Sequence, residues 1–168
     1  MTWEGVGFAS KLDGRMDGDL YLQILKDELQ QTLKCYGLNP PNVISQQDND
    51  PNHTCRLVKN WLEEQEFRTM VWPAQSPDLN LIEHFWGCLK RRLAEHGNSP
   101  NGTHELWERV QVEWERIPVE KCQRLIESMP RRVQAVLKAK GGYTQVLIIY
   151  KYPFHFKSEK TLSMVLLF

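Results

Sequence analysis

The sequence predicts an α/β domain: a sandwich with a partly parallel sheet, followed by helices. Three observations carry that expectation. Strand-like and helix-like segments alternate through the first half of the chain, as they do where strands run parallel and helices cross between them. Glycine and proline punctuate the alternation at Asp13-Gly14, Gly37, Pro40-Pro41, Asp50-Pro51 and Ser76-Pro77. Beyond Ser76 the apolar spacing is helical as far as Lys140.

The elements follow in order. "GVGFASKLDG" reads as a short strand closed by the Asp13-Gly14 turn. "DLYLQILKDELQQTLKCYG" reads as a helix with Leu22, Leu25, Leu29 and Leu33 among its apolar positions and Gly37 as its stop. "NPPNVIS" breaks that helix and opens a brief strand near Val43 and Ile44. Asp50-Pro51 has the form of a helix start, with Asp50 as cap and Pro51 in the first turn. Leu57, Val58, Trp61 and Leu62 give the helix one apolar face, and "RTMVW" is a strand candidate. Ser76-Pro77 can open the next helix, and two more are expected around Glu105 to Arg116 and Glu120 to Lys140.

Composition narrows the class. With 168 residues, 41% hydrophobic and 25% charged, the chain suits one globular domain. Its net charge is zero, which gives no support to a dedicated nucleic-acid binder. The local balance differs: five acids and two bases from Asp48 to Glu66, then eleven bases and seven acids from Lys90 to Lys140. Such a division fits a metal site beside a phosphate-binding surface, and equally fits solvated helix faces of opposite sign. The four cysteines are too far apart for a zinc knuckle or redox pair and read as reduced thiols of an intracellular protein. The N-terminus has no secretory h-region, and the apolar run "VLIIY" is too short to span a bilayer, so no membrane partner is expected.

Two acids stand out. Asp48 lies in "QQDNDPNH", just past a strand and just before a helix, where α/β sheets place ligands. Glu83 lies in "SPDLNLIEHFWGCLKRRL". Counting about 100° per residue from Leu79 sets Glu83 and Lys90 at one edge of the apolar arc, a half-buried position. A carboxylate there needs a cation or a shifted pKa. Two readings stand for each acid. Asp48 is a loop residue capping backbone amides, or a metal ligand; Glu83 is an edge acid facing Lys90, or the second ligand. The chemistry that uses such pairs is phosphoryl transfer with divalent ions, which ordinarily calls for more than two carboxylates. His53 is a surface histidine, or it orients a phosphate or water.

"QQDNDPNHT", "NWLEEQ", "WPAQSPDLNLIEHFWGCLKRRL" and "ESMPRRVQAVLKAKGGYT" resemble the catalytic domain of Tc/mariner-superfamily DDE transposases, over about Met1 to Thr144. Thirty-four residues lie between Asp48 and Glu83, as between the last two catalytic acids in one large branch of that family. The resemblance implies a ribonuclease-H-like fold followed by C-terminal helices, with Asp48 and Glu83 as second and third catalytic acids and metal ligands. It further implies magnesium or manganese (Mg2+ or Mn2+), DNA as partner, a nuclear location and cut-and-paste transposition, by hydrolysis at transposon ends and attack of a 3′-hydroxyl on target DNA.

The departures shape the expectation. The family's first aspartate sits on the first strand of the sheet, further upstream than the 47 residues that precede Asp48 here. The chain thus reads as an N-terminally truncated domain with an incomplete sheet, in which metal binding is weakened. Asp13, Asp17 and Asp19 fall in the wrong element to replace the missing acid. Leu81 stands where the family has a proline. Residues 145–168 read as an extra tail outside the domain of residues 1–144, or as an added strand. Three functions remain open: an active strand transferase completed by upstream sequence; an inactive module; or a relic without selected function. In the module, Lys90, Arg91, Arg92, Arg131 and Arg132, with His53, contact DNA, or the basic helices bind a full-length transposase subunit.

Overall fold

A computed structural model describes residues 1–12, 14–73, 76 and 79–142, and the backbone of 163–166. It divides into two compact units: Met1–Thr2, Gly7–Gln75 and Leu162–Phe168 form the first, and Trp3–Val6 with Ser76–Thr161 the second.

In the first unit, strand β1 (Ala9–Leu12) precedes helix α1 (Gly18–Ile24), whose N-terminus is capped by Asp17: its Oδ1 accepts the Leu20 amide at 2.9 Å. Helix α1 runs through a π-helical turn (Leu25–Leu29) into α2 (Gln30–Cys35). The apolar spacing accounts for the π turn. Tyr21, Leu25, Leu29 and Leu33 recur every four residues and are all buried. On a regular helix each such step drifts about 40° around the axis. One wider turn absorbs the drift and keeps the four on one face. Helix α2 stops as expected at Gly37, at φ +64°, with the Leu38 amide donating to Leu33 O and the Gly37 amide to Lys34 O.

Strand β2 (Ile44–Ser45) leads through a polar loop to α3 (Arg56–Glu64) and then to β3 (Arg68–Thr69), which pairs parallel with β2. This is the expected strand–helix–strand crossover, and it begins later than the Asp50-Pro51 signal suggests. The Asp50 carbonyl instead accepts the amides of His53 and Thr54, each at 3.0 Å, closing a turn with Pro51 at its second position. Helix α3 follows, with Cys55 as its N-cap. Val58, Trp61 and Leu62 then pack with the first helix and Phe67 in one core. Burying each large side chain contributes about 1.5–3 kcal/mol. Strand β4 (Ser163–Leu166) lies antiparallel to β1, Ala9 opposite Leu166 and Leu12 opposite Ser163. The two strand pairs are separate sheets, so β1 and β2 are not ladder partners.

The second unit is helical where described. Helix α4 (Ile82–Ala94) and helix α5 (Thr103–Glu115) pack through Phe85 and Trp114, whose ring centres lie 6.0 Å apart. The single helix expected over residues 120–140 is two, α6 (Val119–Glu127) and α7 (Met129–Lys138). Pro130 is the reason: it has no amide for a bond to Ile126, and its ring crowds the preceding turn.

Candidate active site

The polar loop after β2 is bonded largely to itself. Asp48 Oδ1 accepts the Asp50 amide at 3.0 Å and faces His53 Nδ1 at 2.7 Å. A carboxylate only accepts, so Nδ1 carries the proton. His53 Nε2 is buried without a hydrogen-bond partner among the described residues. Gln47 Nε2 donates to the His53 carbonyl at 2.9 Å, and the Tyr21 hydroxyl donates to Gln47 Oε1 at 3.1 Å. The Tyr21 ring lies 4.1 Å from the His53 ring, tilted by 33°. Asp50 Oδ1 takes the Asn52 amide, and Asn49 Nδ2 ties the loop to the Trp72 carbonyl beyond β3. Burial first, then the charges of Asp48 and Asp50, push the Tyr21 phenol far up, so it stays a neutral donor.

Beside this network the start of α1 comes close to the turn before α3: a Cβ on Gly18 would meet Cys55 Sγ at 2.8 Å, so a side chain there would have to push the thiol aside.

The Asp48 carboxylate is thus held in orientation by one oxygen while its side chain stays half exposed, at 50%. Both readings of Asp48 find a counterpart here: it accepts a backbone amide, and its Oδ2 has no partner among the described residues.

Glu83 is the second residue of α4 and is exposed, not half buried. The expected arc set the inward face on Ile82, Phe85, Trp86, Leu89 and Leu93, with Glu83 at its edge. The buried face instead takes in His84 and Cys88 with Ile82, Phe85 and Leu89, and at about 100° per residue that puts Glu83 on the opposite side, toward solvent. An acid in the first turn suits the positive end of the helix. Asp48 belongs to the first unit and Glu83 to the second.

The basic residues divide. Lys90, Arg91 and Arg131 are exposed. Arg92 is partly buried, its NH1 donating to Glu113 Oε2 and to the Arg116 carbonyl, both at 3.4 Å. Arg132, grouped in the sequence with exposed bases, is only 5% exposed. Its Nε donates to Ser128 Oγ and its NH1 to His84 Nε2, each at 2.6 Å. His84 is buried beside it and carries its proton on Nδ1. Sequence reasoning missed Tyr21, Gln47, His84 and Glu113. Tyr21 sits on an apolar helical face and reads there as core; the only signal at Gln47 is its adjacency to Asp48.

No group of three histidine, cysteine or acidic side chains that could hold a metal occurs among the described residues, and no described helix is long and apolar enough to cross a membrane.

Residues 10–104 match the family model for the DDE superfamily endonuclease. The transposable element Tcb1 transposase of Caenorhabditis briggsae is 39% identical over 140 residues, 83% of this chain and 50% of that protein. The Tc1 transposase of Caenorhabditis elegans is 42% identical over 102 residues, 61% of this chain and 37% of that protein. The chain spans about half the length of the curated relatives it matches, at 50% and 48% for Tcb1 and Tcb2. The crystal structure of the catalytic domain of Mos1 mariner transposase superposes with a TM-score of 0.76 at 24% identity, covering 85% of this chain and 72% of that one. The same domain with raltegravir and Mg gives 0.74 at 23%, covering 85% and 73%. That likeness fixes the fold as α/β, ribonuclease-H-like. By its family match and its relatives, the chain belongs to the DDE endonuclease superfamily, in the Tc1/mariner transposase branch.

Proposed function

We propose that this chain is the catalytic part of a DNA transposase of the cut-and-paste type, with Asp48 and Glu83 as the second and third acids of its active site. The observation that carries this reading is the presentation of Asp48: a half-exposed carboxylate past a strand end, oriented through Oδ1 by an amide and an imidazole, with Oδ2 open to a ligand. Tyr21 and Gln47 hold His53, and His53 holds Asp48. Glu83, exposed in the first turn of α4, supplies the other oxygen donor.

Relatives of this fold have been solved with Mg and with Mn. Hard carboxylate oxygens suit either ion. When bound, such an ion activates an attacking oxygen and stabilises a leaving one. Two carboxylates make a thin cage, so one loosely held divalent ion and no strand transfer by this chain alone are expected. DNA is the substrate on this reading, and the nucleus is the place of action. The exposed cations Lys90, Arg91 and Arg131 favour a second reading, a module that binds DNA or a full-length transposase without catalysis.

The test is nicking of supercoiled DNA with manganese, read beside metal-dependent thermal stabilisation, for the chain and for Asp48→Asn. Stabilisation lost in the variant supports the metal site; cleavage lost in the variant would refute the expected inactivity. Carboxyl groups of Asp48 and Glu83 well beyond about 10 Å apart in an experimental structure would sink the shared site, because a single ion could not bridge them.

A further inference from the structure

Helices α4 and α5 line an open, shallow depression of about 700 Å³ that the acid pair does not use. Its lining is nearly all charged: Arg91 and Arg92 from α4, Glu95 and His96 just past it, and Glu113 and Arg116 from the end of α5. Cys88 is the one apolar contributor. The Glu113 carboxylate is buried and takes Arg116 NH1 at 2.9 Å, His96 Nε2 at 3.2 Å and Arg92 NH1 at 3.4 Å. One buried acid therefore gathers three cationic or cation-capable side chains, Arg92 on α4, His96 past its end and Arg116 at the end of α5. A guanidinium has five donors. Arg116 gives one of its nitrogens to Glu113, and its side chain remains 64% exposed. Arg92 gives NH1 to Glu113 and to the Arg116 carbonyl. Most of their donor capacity stays available to a ligand.

We propose that this pocket seats a backbone phosphate of a bound nucleic acid, with Arg116 and Arg92 as its donors and Glu113 as the buried strut that aims them. The inference deepens the DNA reading above and rests on it. Three guanidinium groups against two carboxylates leave a net positive site, and a forked guanidinium matches phosphate oxygens. The lining decides against other occupants. A drug-like or cofactor molecule wants apolar walls, and a stacked base wants an aromatic face. Cys88 alone offers neither. A phosphodiester needs only convergent donors, and contacts of that kind position a protein on DNA without reading its sequence.

The experiment uses the whole chain and a short duplex of arbitrary sequence, followed by fluorescence anisotropy across a salt series in EDTA, so that metal chemistry plays no part. Arg116→Gln should weaken binding roughly tenfold and flatten the salt slope by about 0.9 for the one lost phosphate contact. Arg92→Lys should weaken binding while leaving the slope unchanged, because charge survives and the fork does not. Lys138→Gln, one exposed charge removed elsewhere, is the control for net charge, and melting curves check that each variant is folded. Equal effects of Arg116→Gln and Lys138→Gln, with the unmodified chain binding well, would overturn the pocket and leave the DNA reading standing. If inorganic phosphate shifts the NMR signals of His96 while Arg116→Gln leaves duplex affinity untouched, the pocket is a free-anion site and the backbone assignment is wrong. No duplex binding by the unmodified chain would refute both readings together.

Discussion

Tyr21→Phe removes one oxygen from the candidate site, and its consequence changes with pH. In the native chain the phenol donates to Gln47 Oε1 at 3.1 Å and its ring lies on His53. The variant keeps the ring and loses the hydrogen bond, at a cost of about 1 kcal/mol near neutral pH. The phenol is also held neutral, its pKa pushed far up by burial and then by Asp48 and Asp50. The sign follows from proton counts. Above about pH 10 the unfolded tyrosine ionises and the folded one does not, so the unfolded state binds fewer protons and stability falls as pH rises. The slope from this residue alone approaches 1.4 kcal/mol per pH unit. Phenylalanine has no such slope. The native chain should therefore be more stable than Tyr21→Phe at pH 8, lose that advantage above about pH 10, and fall below the variant near pH 11. Urea unfolding of both chains at matched pH values measures the difference, and the other titrating groups cancel between them. A gap that stays constant up to pH 11 would show that Tyr21 is not held as a neutral donor, and the Tyr21–Gln47–His53 support of Asp48 would lose its basis.

Further outcomes follow from backbone geometry and burial. Glu66 ends α3 at φ +60°, the position that glycine fills at Gly37. Glu66→Gly should raise stability by about 0.5–1 kcal/mol and Gly37→Ala lower it by about 1–2 kcal/mol, both read from thermal melts. No atom lies within 4 Å of a Cβ on Gly37, so a large loss there would be backbone strain alone. His84→Leu takes one acceptor from the buried Arg132 guanidinium, which keeps Ser128 Oγ, and should cost about 1.5–3 kcal/mol, whereas Arg132→Met removes the charge with its burial penalty and should cost less. A double-mutant cycle in urea tests this, and the reverse order would refute it. Gly18→Ala should shift the NMR signals of Cys55 with only a small change in stability, because the added Cβ displaces Sγ, the movable end of a side chain.

The readable parts of the sequence were those set by local chemistry. Gly37 stops its helix because a left-handed residue is needed there, and the crossover from β2 to β3 follows from a short strand, an apolar helical face and a second strand. Errors came where one residue had two uses. Asp50-Pro51 has the form of a helix cap and also of a turn; the Asp50 carbonyl decided for the turn, and α3 starts at Arg56. In α4 a histidine and a cysteine, which the apolar count passed over, belong to the buried face, and their side of the helix turned inward leaves Glu83 in solvent. Charge pattern placed Arg132 beside Arg131 on the surface, but the two are adjacent on a helix and point about 100° apart. Only the neighbouring helix, through His84, shows which of them is inside. Glu113 was illegible for the same reason, since its partners Arg92 and His96 lie on another element.

The arrangement around Asp48 separates two ways of placing a carboxylate at a strand end. In an α/β sheet the strand usually fixes the residue at its end, and the accuracy of the site is the accuracy of the ladder. Strand β2 has only two residues paired, Ile44 with Arg68 and Ser45 with Thr69, and its other edge meets no strand among the described residues. So short a ladder constrains the loop weakly. What constrains it instead is side-chain bonding: Gln47 to Tyr21 and to the His53 carbonyl, Asn49 to Trp72, and Asp48 to His53 and the Asp50 amide. Tyr21 belongs to α1, which packs with α3 and Phe67 in the hydrophobic core of the first unit. The acid is therefore referenced to a helix through a stacked ring rather than to a sheet through backbone bonds. Asp48 can keep its orientation on so short a ladder, and a substitution in the helical core near Tyr21 would disturb the loop more than one in β2.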